Sequence, residues 1–144
     1  MITHAHPEGQ AGAVAVAVAA ALAKESTRSS GSDFLANVLE HVSDTEVGAG
    51  IRTALKIQAN EFDVAVERLG AGWQVSAQDT VPFCLWCAAH HLGNYEEALW
   101  LALAGGGDRD TTCAIVGGIV ALSAGEVPEK WLARREPLPS DFAV

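Results

Sequence analysis

Val81–Ala124, VPFCLWCAAHHLGNYEEALWLALAGGGDRDTTCAIVGGIVALSA, reads as three apolar helices separated by two breaks. Proline loses nothing in a first helical turn, where its missing N–H has no partner, so Val81-Pro82 marks the first start. Asn94 and Glu97 stand at capping-box spacing and open the second helix, expected to run to about Ala104. Gly105-Gly106-Gly107 breaks the chain, and the third helix is expected from Asp108 to about Ala124, with Gly125 as its stop. Its apolar stripe reads as Thr111, Ile115, Ile119 and Leu122, which places Asp108 and Thr111 at the inner end of a buried face. Gly117-Gly118 in mid-helix costs about 1 kcal/mol per glycine relative to alanine, and close approach of another helix backbone is the expected compensation.

Working outward, the whole chain reads as all-α, a compact orthogonal helical bundle without a strand run or an internal repeat. An Ala-Val-rich helix is predicted over residues 8–24, since its alanine load and length outweigh its period-two alternation. Ser32 or Asp33 caps a second helix through about His41, and a third runs from about Asp44 towards Ile57. A short helix near 60–69 stops at Gly70-Ala71-Gly72, and Pro128 opens a last one carrying Trp131. Segments 11–23 and 81–89 are apolar all round and should be buried on every side. Two fully enclosed helices suit a larger domain than this chain, which by size buries ~70% of its unfolded surface. Something that should cover part of the core is therefore expected to be missing.

With 144 residues, 49% of them hydrophobic, the chain makes one domain, 1–144. A net charge of −9 with only nine Lys and Arg argues against a nucleic-acid surface. The apolar run 11–23 is shorter than the ~20 residues that span a bilayer, and no positive residue precedes it as in a signal peptide. Cytoplasmic residence is the expectation, in keeping with three cysteines in apolar surroundings. Cys84-x-x-Cys87 lacks any charged neighbour to activate a thiol and reads as core packing rather than a redox or zinc site.

The chemistry concentrates in Gly105-Gly106-Gly107-Asp108-Arg109-Asp110-Thr111-Thr112. Mg²⁺ takes oxygen ligands and keeps several waters, so Asp108, Asp110 and the Thr111 hydroxyl suit one edge of its shell. The alternative is an N-cap at Asp108, with Asp110 favoured by the helix dipole. Gly106 and Gly107 either let backbone approach a metal-bound substrate or simply permit the tight turn. No lysine follows them, which excludes a Walker-type phosphate loop. His4-Ala5-His6 is a weak zinc pattern without a third ligand nearby. The four tryptophans read as core or edge packing, with adenine stacking by one of them as a minor alternative.

The run VPFCLWCAAHHLGNYEEALWLALAGGGDRDTTCAIVGGIVALSAGEVPEKWL resembles the closing segment of the ADP-ribosylglycohydrolase family. It shows the Val-Pro-opened helix, the Glu-Glu-Ala-Leu helix, Gly-Gly-Asp-x-Asp-Thr, Ala-Ile-x-Gly-Gly and a Pro-x-x-Trp tail. Ile2-Thr3-His4 followed by HPEGQAGAVAVAVAAALA resembles the family's middle segment. The resemblance implies that Asp108, Asp110 and Thr111 are metal ligands, that His4 lies near bound ADP-ribose, and that Asp79 and Thr80 line the substrate cleft. Capping explains Asp79 and Thr80 equally well.

Family members are longer, and their amino-terminal half supplies a Gly-Asp-x-x-Gly…Glu and a Thr-Asp-Asp-Thr segment that complete a two-magnesium centre. This chain has neither and resembles the carboxy-terminal half alone. The function so implied is magnesium-dependent hydrolysis of the glycosidic bond in ADP-ribosylated substrates, incomplete in this chain by itself. The alternative is an inactive helical remnant or subunit. Self-association or pairing with a complementary amino-terminal half is the corresponding partner expectation, because an uncovered apolar face seeks cover.

Overall fold

The computed structural model describes residues 5–25, 30–137 and 139. Within them the chain forms eight helices and no strand: α1 (Pro7–Ala23), α2 (Gly31–Leu39), α3 (Glu46–Ala54), α4 (Phe62–Leu69), α5 (Ala77–His90), α6 (Tyr95–Ala104), α7 (Arg109–Val120) and α8 (Glu129–Leu132). The all-α expectation holds. Among the described residues no helix is long and apolar enough to cross a membrane.

α5 is the centre, and each of α1, α2, α3, α4, α6 and α7 packs against it. Every residue from Asp79 to Ala89 is buried, as a helix without a polar face requires. Trp86 stacks on Phe83, meets Phe62 and His90, and donates its indole N–H to the Ile57 carbonyl at 3.2 Å. α5 begins at Ala77, four residues before the predicted start, so Pro82 lies in its second turn. There the proline forfeits a bond to the Gln78 carbonyl. The ring is accommodated because Gly50 of α3 has no side chain to oppose it.

Other boundaries shift for local reasons. α2 is capped by Ser30, whose hydroxyl accepts from the Asp33 N–H at 3.1 Å, rather than by Ser32 or Asp33. α3 starts after Thr45, and Glu8 of α1 reaches across to accept the Glu46 and Val47 N–H groups at 3.0 and 2.9 Å. That carboxylate satisfies two donors no helix bond can reach. Asn94 caps α6 as expected by accepting from Glu97 N–H, but its own N–H donates to the His91 carbonyl, so the capping box is only half formed.

α7 corrects the predicted stripe. Its buried residues are Thr112, Val116, Gly117, Ile119 and Val120, whereas Thr111 is exposed, Ile115 half-buried and Leu122 exposed. A step of one residue turns a helix by about 100°, which is enough to move Thr111 and Ile115 from the core to its edge. Gly117 meets the Tyr95 hydroxyl and the Leu99 side chain of α6 rather than a backbone, and Gly118 faces open space.

α1 departs further from expectation. Only Ala11, Gly12, Ala15, Ala19 and Ala23 are buried, while Ala13, Val14, Ala17 and Ala21 on the far side are exposed. A helix with no polar face thus has one stripe in the core, flanked by the half-buried Val16, Val18, Ala20 and Leu22, and its far side open.

Cys84 and Cys87 are buried and unpaired, as expected of packing residues. Burial, the largest cause, pushes both thiols well above the usual thiol range. In the unfolded chain they ionise near pH ~8.5. Above that pH the unfolded state binds fewer protons than the folded one, so stability falls as pH rises, by about 1.4 kcal/mol per thiol per pH unit. Urea melts at pH 8, 9.5 and 10.5 should show this slope, and the Cys84→Ala/Cys87→Ala protein should be flatter by that amount.

Candidate metal and substrate site

Two loops build the site by crossing. The Asp108 N–H donates to the Ala71 carbonyl at 3.0 Å, and the Gly72 N–H donates to the Asp79 carbonyl at 3.0 Å. Gly107 lies directly over the Ala71 carbonyl, where no Cβ fits. Gly72, at φ 85°, sits where a Cβ would come within 2.6 Å of the Asp108 Cβ. These contacts clamp the acidic turn onto the 70–76 loop from both sides, and account for Gly107 through packing. Gly106, half-buried with φ 79°, lies at the rim beside Trp73 and Arg109.

Asp79 is buried at 8% exposure, and its carboxylate accepts the Gln74 N–H at 2.6 Å. Its other oxygen lies against Gly70. The carboxylate therefore anchors the loop, and the neighbouring Thr80, also buried, is the one that lines the concavity beside Asp108. Thr80, Asp108, Thr111, Ser76, Val75 and Ile115 line a concavity of about 230 Å³. Asp110 is exposed on the first turn of α7, outside that lining. His4 lies outside the described residues.

The Thr111 hydroxyl, then the Asp110 carboxyl, hold the Asp108 carboxyl below its usual range. No side-chain bond from Asp108 to the α7 N–H groups closes, so this bias comes from proximity rather than a formed cap. An ionised carboxylate, a hydroxyl beside it and a second carboxylate are hard donors of the kind Mg²⁺ accepts. By themselves they would not fill its shell: among the described residues no group of three His, Cys, Asp or Glu side chains is placed to hold a metal.

One profile of known proteins decides the relationship: that of the ADP-ribosylglycohydrolases matches residues 1–142. The chain belongs to the ADP-ribosylglycohydrolase family. It is similar to an uncharacterized protein of Archaeoglobus fulgidus, 35% identical over 134 residues. That match covers 91% of this chain and 42% of the relative, so the chain spans about two-fifths of the relative's length. No solved structure matches it.

Ser76 is a site-lining residue that the sequence reading passed over. Its hydroxyl is buried without a hydrogen-bond partner although it stands at the N-cap of α5, a position where serine ordinarily accepts from the helix. Starting α5 at Val81 hid Ser76 from consideration. Trp73, expected in core or edge packing, is instead 68% exposed, its ring beside Gly106. A larger cleft of about 680 Å³ lies at the other end of α6, between Gly93–Glu96 and Ala124–Glu129. None of the residues singled out from the sequence as metal or substrate contacts lines it, whereas Asp108 and Thr111 line the smaller concavity, and chemistry rather than size picks the site.

Proposed function

We propose that this ADP-ribosylglycohydrolase-family chain contributes one side of a magnesium-dependent site for hydrolysing the glycosidic bond of ADP-ribosylated substrates. The observation that carries this reading is the clamped Asp108 carboxylate, kept ionised next to Thr111 and opening onto the concavity with Thr80 and the unpartnered Ser76 hydroxyl. Asp108, Asp110 and Thr111 would hold the cation, and when bound it would polarise ribose hydroxyls and lower the pKa of a water. The remaining oxygen ligands and the acid-base groups come from outside this chain. His4 and the Gly106-Gly107 backbone are proposed substrate contacts. Asp79 acts through its loop, holding Trp73 and Ser76 in place.

Trp73 gives the adenine of ADP-ribose an exposed ring, and base–aromatic stacking is worth roughly 1–3 kcal/mol. The reading is tested by calorimetric titration with Mg²⁺ and then ADP-ribose. Asp108→Asn should weaken Mg²⁺ binding by about tenfold or more, some 1.4 kcal/mol. Trp73→Ala should weaken ADP-ribose and leave Mg²⁺ unchanged. Identical Mg²⁺ heats for the wild type and Asp108→Asn would sink the metal assignment.

A second reading, a subunit without chemistry of its own, draws on the lack of a three-acid cluster among the described residues. It predicts that no added polypeptide restores hydrolysis of an ADP-ribosylated substrate.

A further inference from the structure

Arg109 occupies the x of Gly-Gly-Asp-x-Asp-Thr, the position that signature leaves open, so the side chain there is a property of this chain rather than of the family. It has an aspartate on either side in sequence and pairs with neither. Among the described residues the ion pairs are Arg52 with Asp44 and Lys130 with Glu96. A carbon added to Gly106 would stand 3.9 Å from the Arg109 Nη2 and 3.6 Å from the Trp73 Cζ2, both ordinary contact distances. Glycine at 106 therefore leaves a slot between an exposed indole and an exposed, unpaired cation. The adjoining concavity with Asp108 and Thr111 is lined by no Lys or Arg. On a chain of net charge −9, Arg109 is thus the positive charge at this rim.

We propose that Arg109 is a specificity-determining residue that holds the diphosphate of the substrate's nucleotide portion. The order of groups along the rim carries this assignment. A ligand with its base on Trp73 and its distal ribose against Asp108 must carry whatever joins them past Gly106 and Arg109, and in ADP-ribose the joint is a diphosphate. Without a cation at that point, two phosphate charges would face the carboxylates of Asp108 and Asp110. A guanidinium meets phosphate oxygens in a bidentate fork, through hydrogen bonds about twice as strong as those between neutral groups. Having no carboxylate partner among the described residues, Arg109 gives up no ion pair in order to bind. Gly106 presents no side chain between the ligand and the guanidinium. A nucleoside without phosphate gains nothing from such a residue, so Arg109 selects for the diphosphate rather than for the base. The proposal rests on the reading of Trp73 and Asp108 as the two ends of one substrate site.

The test is calorimetric titration of the full chain with ADP and with adenosine, in EDTA so that no metal takes part. Both probes carry the base, neither carries the distal ribose, and they differ in the diphosphate. The wild type is expected to bind ADP at least tenfold more tightly than adenosine, by a ratio that shrinks as salt is raised. Arg109→Ala should bring that ratio close to one, and Arg109→Lys should keep part of it, because a point charge remains without the planar fork. Trp73→Ala should weaken both probes by the same factor. Three results would overturn the proposal: no binding of ADP by the wild type, equal affinity for the two probes, or a preference for ADP that Arg109→Ala leaves unchanged. An Arg109-dependent preference combined with no Mg²⁺ heat would refute the metal reading and leave Arg109 assigned. Mg²⁺ heat that Asp108→Asn removes, combined with equal binding of ADP and adenosine, would refute the Arg109 assignment alone.

Discussion

Trp86→Ala is expected to cost ~3–5 kcal/mol, the range for removing a large ring from a well-packed core. Trp86 is fully buried at the middle of α5, and its neighbours Phe62, Phe83 and His90 come from two helices and are fixed against it. Those rings cannot all fall inward, so most of the volume remains as a cavity. The Ile57 carbonyl also loses the indole N–H. Thermal denaturation followed by circular dichroism should show the midpoint lowered by roughly 10 °C. Trp86→Phe separates the two contributions: it keeps most of the volume and leaves the carbonyl unpaired, for a smaller loss of about 1–3 kcal/mol. A midpoint for Trp86→Ala within a degree or two of wild type would mean that α5 is not the centre of the fold.

Gly107→Val should have the second-largest effect, and it should reach both stability and ligand binding. A side chain at residue 107 runs into the Ala71 carbonyl, which is backbone and cannot rotate away. The two loops must separate, breaking the Asp108 N–H bond to Ala71. Overpacking together with a lost hydrogen bond amounts to about 2–4 kcal/mol. Because the same bond positions Asp108, Mg²⁺ binding should disappear even at temperatures where the helices persist. Gly118→Ala is the matching control: that position faces open space, so alanine should stabilise α7 by up to about 1 kcal/mol. Intact Mg²⁺ binding in Gly107→Val would show that the loop crossing does not hold the carboxylate in place.

Helix number and order were legible in the sequence because the breaks are chemically emphatic: Gly70-Ala71-Gly72, the Asn94 cap and the triple glycine interrupt long apolar runs. The faces were less so. On α7 the apolar residues surround most of the helix, and periodicity could not separate Thr111 and Ile115 from Thr112 and Val116. On α1, uniform Ala-Val composition carried no signal for which side is covered. Both helices pack on the remote α5 as well as on the helix next to them in the chain, α6 for α7 and α2 for α1, and only the packing reveals which side each neighbour takes. Asp108 and Thr111 were found from local residue type and resemblance. Ser76 was lost to a misplaced helix start, and the exposure of Trp73 depends on the crossing of two loops that no local pattern encodes. Asp79 shows the converse: its residue type suited a cleft, and its carboxylate is engaged by the Gln74 N–H.

The position of α5 also sets how the molecule can tolerate change. A peripheral helix such as α4 answers to few neighbours, and substitutions there can be absorbed one contact at a time. α5 touches six other helices, so a new side chain on any of its sides must be matched somewhere else in the same step. Variation in this chain is therefore channelled outward, and engineering that begins from its rim will find far more permitted paths than engineering that begins from its axis.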